Sequence, residues 1–232
     1  MKRISVLAGG LVILMGSASV ARADVMVGDT LSLTFQGTGP SKAVSWTFDG
    51  DSGTNSAGFL NWAGGVKTFC VQLEENIGGG ATVAFDVVGP EGLPDQPPLP
   101  GPMGAARSLV MQDLYSRYYD STLAGTAYDA AAFQMVIWEI SHEMSADSTS
   151  AATIIDGLDF SDGDATFSSS STVVGIAQGM LLDLGEGGFN SYSRLLGLTD
   201  TAKQDQLIVV PGVGALAGLG GVAGLRRRRR RG

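Results

Sequence analysis

The chain has 232 residues and a formal net charge of −8. Nine of its fifteen basic residues lie near the two ends, so the part between residues 24 and 225 carries six basic residues against all twenty-three carboxylates, a formal charge of −17. Such a surface repels anionic polymers, which excludes a nucleic-acid-binding protein. Since Cys70 is the single cysteine, an intrachain disulfide is also excluded.

The N-terminus has the pattern of a secretory signal peptide. Lys2 and Arg3 precede a short apolar run, and Ala21 and Ala23 place small side chains at the two positions that a signal peptidase reads. The run is short for a membrane span. We therefore expect a signal peptide over residues 1–23, cleavage after Ala23 and export from the cytoplasm.

The next part of the chain has the alternation of β-strands. The segments LSLTFQG, KAVSWTFDG, NWAGGVKTFCVQL and ATVAFDVVG place apolar and polar residues at period two between turn residues. They predict an antiparallel β region, a sandwich or a barrel, over residues 24–90. The proline-rich segment GPEGLPDQPPLPGP, residues 89–102, cannot donate to a sheet ladder and favours extended structure. We interpret it as a linker to a helical lobe over residues 103–145.

Two helices are predicted in this lobe. ARSLVMQDLYSRYYD has apolar residues at helical spacing, and Thr126 with Asp129 has the pattern of a capping box that opens a second helix ending near Met144. In that second helix the amide of Gln134 lies beside the apolar stripe and next to Trp138. A buried amide without partners costs about 1 to 3 kcal/mol, so the sequence predicts a partner for Gln134.

The remainder of the exported part, residues 146–204, is more polar. We expect a long loop over residues 145–172 with one short strand in ATIIDGLDF, and a third helix over residues 173–183. Strands followed by helices indicate an α+β protein, so residues 24–204 are predicted to form one extracytoplasmic α+β domain.

The C-terminus has the pattern of a membrane anchor. Residues 207–225 carry no charge, and nineteen helical residues span about 28 Å, close to the roughly 30 Å hydrocarbon core of a membrane. Residues 226–232 contain six consecutive arginines, which the positive-inside rule places on the cytoplasmic side. We therefore predict a transmembrane helix over residues 207–225 with a cytoplasmic tail, and a body on the outer face of the membrane.

This C-terminal arrangement resembles the PEP-CTERM class of sorting signals of exported bacterial proteins. The motif Val210, Pro211 and Gly212 lies near the start of the apolar run, in the place where that class has Pro-Glu-Pro. The resemblance implies processing by an exosortase, a membrane cysteine transpeptidase, after which the body is released or attached to the cell surface.

The middle of the chain resembles the bacterial surface thioester domains, whose signatures are an aromatic-Cys motif and T-Q-x-A-I-W. The matching segments are FCV, which contains Cys70, and QMVIW, which begins at Gln134. In that family the cysteine thiol and the glutamine carboxamide condense with loss of ammonia, and the thioester reacts with nucleophiles on a target. The resemblance implies a Cys70–Gln134 thioester, shielded by Phe69, Phe133 and Trp138, in a non-enzymatic adhesin directed at a surface amine or glycan.

Two other classes stay open, since Phe133 and Val136 stand where the thioester motif has Thr and Ala. One is a structural or glycan-associated envelope protein without a reactive bond. The other is a cysteine hydrolase with a Cys70–His142 dyad, although His142 and Glu143 have the pattern of a solvated helix end. The Asp-rich segments FDGDSGTNS and DFSDGDAT fit turns better than calcium loops, so we expect neither a metal nor a cofactor.

Overall fold

The computed structural model describes residues 25–144 and 149–210, and this part of the chain forms an α+β structure with a large antiparallel sheet, as predicted. Seven strands and four α-helices lie within it. The strands are β1 Thr30–Phe48, β2 Asp51–Trp62, β3 Val66–Cys70, β4 Thr82–Val88, β5 Ala165–Ser168, β6 Leu195–Asp200 and β7 Lys203–Val209. The helices are α1 Gly104–Ala124, α2 Ala127–His142, α3 Ala151–Asp156 and α4 Ser171–Asp183.

The strand ladders form a closed circuit. Neighbouring strands follow the order β2-β3-β7-β6-β4-β1-β5, and β1 pairs with β2 as well. The long strand β1 closes the circuit because its first residues pair with β4 and the rest with β2. Side chains alternate along it, with Val44, Trp46 and Phe48 buried and the intervening Ser45 and Thr47 exposed. The apolar face of the circuit therefore encloses part of the core.

A bend in β1 allows this strand to pair with both β4 and β2. The register of the β1 and β2 ladder shifts between Phe35 and Ser41, around the Gly39-Pro40 step. Gly58 of β2 faces this bend with a φ of 152°, and a Cβ there would lie 2.2 Å from the carbonyl oxygen of Pro40. Glycine is therefore required at position 58 for the two backbones to approach.

Helix α2 lies at the centre of the molecule. Thirteen of its sixteen residues are buried, and it packs against α1, α4 and strands β1 and β2. An apolar surface on every side is typical of a helix inside a core. The predicted capping box is confirmed: Asp129 Oδ2 accepts the Thr126 N–H at 2.7 Å, and Thr126 Oγ1 accepts the Tyr128 and Asp129 N–H groups.

The region after α2 differs from the prediction at one point and agrees at another. The expected strand in ATIIDGLDF is wrong: residues Ala151–Asp156 form α3, and the Ser150 side chain caps it by accepting the Thr153 N–H at 3.2 Å. The strand of this region comes later, as β5. The third predicted helix is confirmed as α4.

The C-terminal prediction is corrected in its first residues. Leu207, Ile208 and Val209, which were assigned to the membrane span, belong to β7 and pair with β3 and β6. Residues 211–225 of that span and the signal peptide lie outside the described residues. Within the described ranges, no helix combines the length and the apolar character that a membrane crossing needs.

Candidate functional site

The end of strand β3 presents Cys70 next to a gap in the sheet. The ladder between β3 and β2 stops at the pair Thr68 and Leu60, while on its other side β3 still pairs with β7, Cys70 lying opposite Gln206. The backbone N–H and C=O of Cys70 on the open side therefore need another partner, because buried peptide groups are almost always hydrogen-bonded.

The carboxamide of Gln134 is that partner. Its Oε1 accepts the Cys70 N–H at 3.2 Å, and its Nε2 donates to the Cys70 carbonyl oxygen at 2.7 Å. Gln134 is fully buried and Cys70 is 4% exposed. The structure thus brings together the two residues that the thioester resemblance paired, from positions sixty-four residues apart.

The thiol of Cys70 is protonated at neutral pH. Burial raises its pKa to about 12, a shift that the Trp138 side chain and the Cys70 backbone oppose by hydrogen bonding. The Trp138 indole N–H meets no acceptor in good hydrogen-bonding geometry within the described residues, so we interpret its contact with the sulfur as long and weak. A protonated thiol is a poor nucleophile, so any attack by Cys70 requires its proton to be transferred.

Aromatic side chains surround the pair, and the predicted shielding residues are all buried. The ring centroids of Phe69 and Phe133 are 4.8 Å apart, and Trp138 stacks on Phe167 at 6.4 Å. Tyr115 packs edge-on against Phe133 at 5.0 Å, a contact that the sequence did not reveal because Tyr115 comes from another helix. This apolar wall separates the carboxamide from water.

A polar network next to the site was not predicted from the sequence either. Asp205 is buried beside Gln72, whose Oε1 accepts the Asp205 N–H at 2.5 Å, and Asp205 Oδ2 accepts the Asp95 N–H at 2.7 Å. Burial raises the pKa of Asp205 to about 7. These bonds attach the proline-rich linker to β7 and fix the strand end that holds Cys70.

The helix end at His142 and Glu143 is buried, which makes the prediction of a solvated terminus wrong. The His142 ring packs against Phe48, and its Nδ1 lies 2.9 Å from Ser141 Oγ and 3.1 Å from the Trp138 carbonyl oxygen. Burial lowers the pKa of His142 to about 3. In the described part of the chain His142 makes no hydrogen bond to Cys70, so the geometry gives no support to a Cys70–His142 dyad.

The Asp-rich segments form turns. Asp49 and Gly50 connect β1 to β2 with φ values of 50° and 86°, as a tight hairpin requires. Asp159 Oδ1 accepts the N–H and the hydroxyl of Ser161 at 2.9 and 2.7 Å. Among residues 25–144 and 149–210, no group of three acidic, cysteine or histidine side chains is arranged to hold a metal ion.

Comparisons of the chain with protein-family models, with curated proteins and with solved structures find no match. The functional argument therefore rests on the Cys70 and Gln134 geometry. It also rests on the chemistry that a thiol and a carboxamide can perform when they are held together.

Proposed function

We propose that this protein is an exported surface protein in which Cys70 and Gln134 condense to an internal thioester, and that this bond attaches the protein covalently to a target. The observation that supports the proposal is the pair of reciprocal hydrogen bonds between the Gln134 carboxamide and the Cys70 peptide groups. They hold the carboxamide against the residue that carries the thiol. Such positioning replaces much of the entropic barrier of a bimolecular reaction.

The hydrogen bonds also suit the transition state of the condensation. When Cys70 Sγ attacks Gln134 Cδ, negative charge develops on Oε1, which the Cys70 N–H already faces. The S–C bond forms, the C–N bond breaks, and the thiol proton leaves with the nitrogen as ammonia. Because the pKa of the thiol is about 12, this proton transfer accompanies the attack rather than preceding it.

The resulting thioester is an acyl donor stored in the core. A target amine would attack Gln134 Cδ, form an amide and release Cys70 as a thiol. The protein is consumed once, so the reaction is adhesion and not enzymatic turnover. Burial of Gln134 and of the surrounding aromatic rings supports storage, since a thioester exposed to water would hydrolyse.

Export and sorting are part of the proposal and are supported by the two ends of the sequence. The signal peptide over residues 1–23 directs the chain outwards, and the apolar run followed by six arginines retains it at the membrane for a sorting transpeptidase. Since β7 includes Leu207–Val209, we now place the anchor after Val210. Val210 itself donates its N–H to the Arg194 carbonyl oxygen at 3.0 Å, so the motif Val210-Pro211-Gly212 follows the folded body directly.

A second candidate is a structural envelope protein without a reactive bond. The same hydrogen bonds satisfy a buried amide and seal the open end of β3, and the thiol pKa of about 12 favours an inert cysteine. Both candidates predict a buried Cys70, so only the chemistry of the pair distinguishes them.

Treatment of the native full-length protein with methylamine tests the proposal. We expect one methylamide on Gln134 and one new thiol on Cys70, because the amine displaces sulfur from the carboxamide carbon. Cys70→Ala removes both products, whereas Gln178→Ala, at an exposed glutamine of α4, keeps them. An unmodified Gln134 together with a Cys70 that alkylates fully after unfolding would instead establish the structural candidate.

A further inference from the structure

A cavity of about 240 Å³ opens beside Cys70 and Trp138. Strands β1 and β2, the loop after β3 and helix α2 contribute to its wall. A water molecule takes about 30 Å³ in the liquid, so the cavity has room for about eight water-sized groups. It therefore offers a small ligand a site next to Cys70, whereas Gln134 is fully buried and is not one of the lining residues.

The wall of this cavity is polar but uncharged. Thr38, Thr54 and Ser56 line it together with three residues that carry side-chain amides. Apart from the Cys70 thiol, no ionisable side chain of residues 25–144 and 149–210 contributes to the wall. A charged group bound there would lose water without gaining an opposite charge. The amides belong to Asn55, Asn76 and Gln204.

The amide groups offer both acceptors and donors. Asn55 Nδ2 donates to the Leu73 carbonyl oxygen at 2.7 Å, and Gln204 Nε2 donates to the Gln72 carbonyl oxygen at 3.0 Å. Each of these NH₂ groups has a second N–H that makes no hydrogen bond within the described residues, and the two side-chain oxygens accept none there. A matching ligand both donates and accepts hydrogen bonds, as hydroxyl groups do.

We propose that this cavity binds a neutral, hydroxyl-rich saccharide unit. Hydroxyl groups on the ligand would donate to the amide oxygens and exchange hydrogen bonds with the hydroxyl side chains. Phe35 and Trp138 also border the cavity, but both are buried, so hydrogen bonds to the amide and hydroxyl groups would provide the recognition. The formal charge of −17 over the part between residues 24 and 225 disfavours acidic saccharides, so the occupant is a neutral one.

Covalent capture of this saccharide rests on the proposed thioester. A sugar hydroxyl oxygen would attack Gln134 Cδ, an ester bond would form and the C–S bond would break. The hydroxyl proton would end on the Cys70 sulfur. Binding in the cavity requires no thioester, so the two ideas are tested separately.

Binding is measured in full-length Cys70→Ser, in which no thioester can form and the side chain keeps its size. The probes are maltohexaose as a neutral saccharide, an oligogalacturonate of equal length as an acidic one, and ethanolamine as an amine. Titration followed by saturation-transfer NMR is expected to show saturable binding of maltohexaose alone. No binding of maltohexaose, or equal binding of the acidic saccharide, would overturn the assignment.

Two further variants, each combined with Cys70→Ser, localise the binding. Thr38→Val keeps the side-chain shape and removes a hydroxyl that makes no hydrogen bond within the described residues, so the fold is retained; we expect maltohexaose affinity to fall about fivefold or more. Asn55→Leu should reduce it at least tenfold. Unchanged affinity in Thr38→Val would refute the site. The wild-type methylamine reaction reports on the thioester independently, so failure of either idea is recognised without the other.

Discussion

A single carboxamide takes the place of a peptide unit at the end of strand β3. A neutral amide both accepts and donates in one plane, so Gln134 satisfies the N–H and the C=O of Cys70 together, where an ionised glutamate would satisfy only the N–H. In the proposed condensation, the bonds that stabilise the strand end would also hold the carboxamide next to Cys70. Structure and proposed chemistry therefore depend on one side chain.

Glu139 is a second buried polar residue of α2, and its charge state affects stability. Its Oε1 accepts the Asp159 N–H at 2.7 Å, and its Oε2 has no partner among the described residues. Burial raises the pKa of Glu139 to about 8, with the neighbouring Glu143 and Asp159 adding to the shift. The folded protein therefore holds a proton on Glu139 at pH values where the unfolded chain has lost it.

The sign of the resulting pH dependence follows from proton linkage. Between the unfolded pKa, near 4.5, and the folded pKa of about 8, the folded state binds the extra proton, so the free energy of unfolding decreases as pH rises through this window. Glu139→Gln should reduce this decrease by roughly 3 to 5 kcal/mol between pH 4.5 and 8. Urea denaturation at a series of pH values measures it.

Glu91→Gln is the matched control, since Glu91 is exposed, and it should leave the pH profile unchanged. Part of the slope should survive in Glu139→Gln, because burial also raises the pKa of Asp205, to about 7. A Glu139→Gln profile that coincides with the wild-type profile would show that Glu139 is ionised in the folded protein.

At the scale of elements, strand β7 is the last element of the described residues. Leu207 and Ile208 pair with β3 on one side and with β6 on the other, and both are buried. A chain that ends at Val210 should therefore unfold cooperatively, with a midpoint close to that of the full chain. A chain that ends at Gln206 loses the Leu207–Val209 part of these ladders, with two buried apolar side chains, and should be unfolded or melt far lower. Thermal unfolding followed by circular dichroism compares the two truncated chains. Equal midpoints would assign residues 207–209 to the anchor.

The apolar run that begins in the last part of β7 illustrates what the sequence alone could not determine. LIVV is apolar enough to begin a membrane span and β-branched enough to form a strand, and only its partners β3 and β6 decide between them. A strand was also expected in ATIIDGLDF, whose first part lies in α3 instead. There the Ser150 cap and the burial of Ile154 in the core favour a helix.

Sequence motifs predicted the structure correctly where the hydrogen bonds involved connect residues close together in the chain. The Thr126 and Asp129 capping box marked the start of α2, and the period of the apolar residues marked the helix itself. The apolar stripe of α2 also predicted that Gln134 is buried and needs a hydrogen-bond partner, and the family resemblance indicated Cys70 as that partner. The prediction of a solvated helix end at His142 was wrong. Ionisable residues at helix ends are usually solvated, and the contact of His142 with Phe48 becomes visible only in the structure.

At the scale of the whole molecule, the candidate site lies between the sheet and the helices. The linker does not separate two lobes, because its Asp95 binds Asp205 of β7 and α2 packs on the strands. Cys70 and Gln134 therefore meet only when both parts are folded together. A thioester formed in this way would appear as a property of the folded protein and be absent from the newly made chain.

The intact mass of the purified full-length protein tests the central claim most directly. The account predicts a mass lower than that of the sequence by one ammonia, a linked pair of peptides containing Cys70 and Gln134, and no alkylation of Cys70 after unfolding. Cys70→Ala should restore the full mass expected for its own sequence. A wild-type protein at full mass, with Cys70 freely alkylated once unfolded, would contradict the thioester.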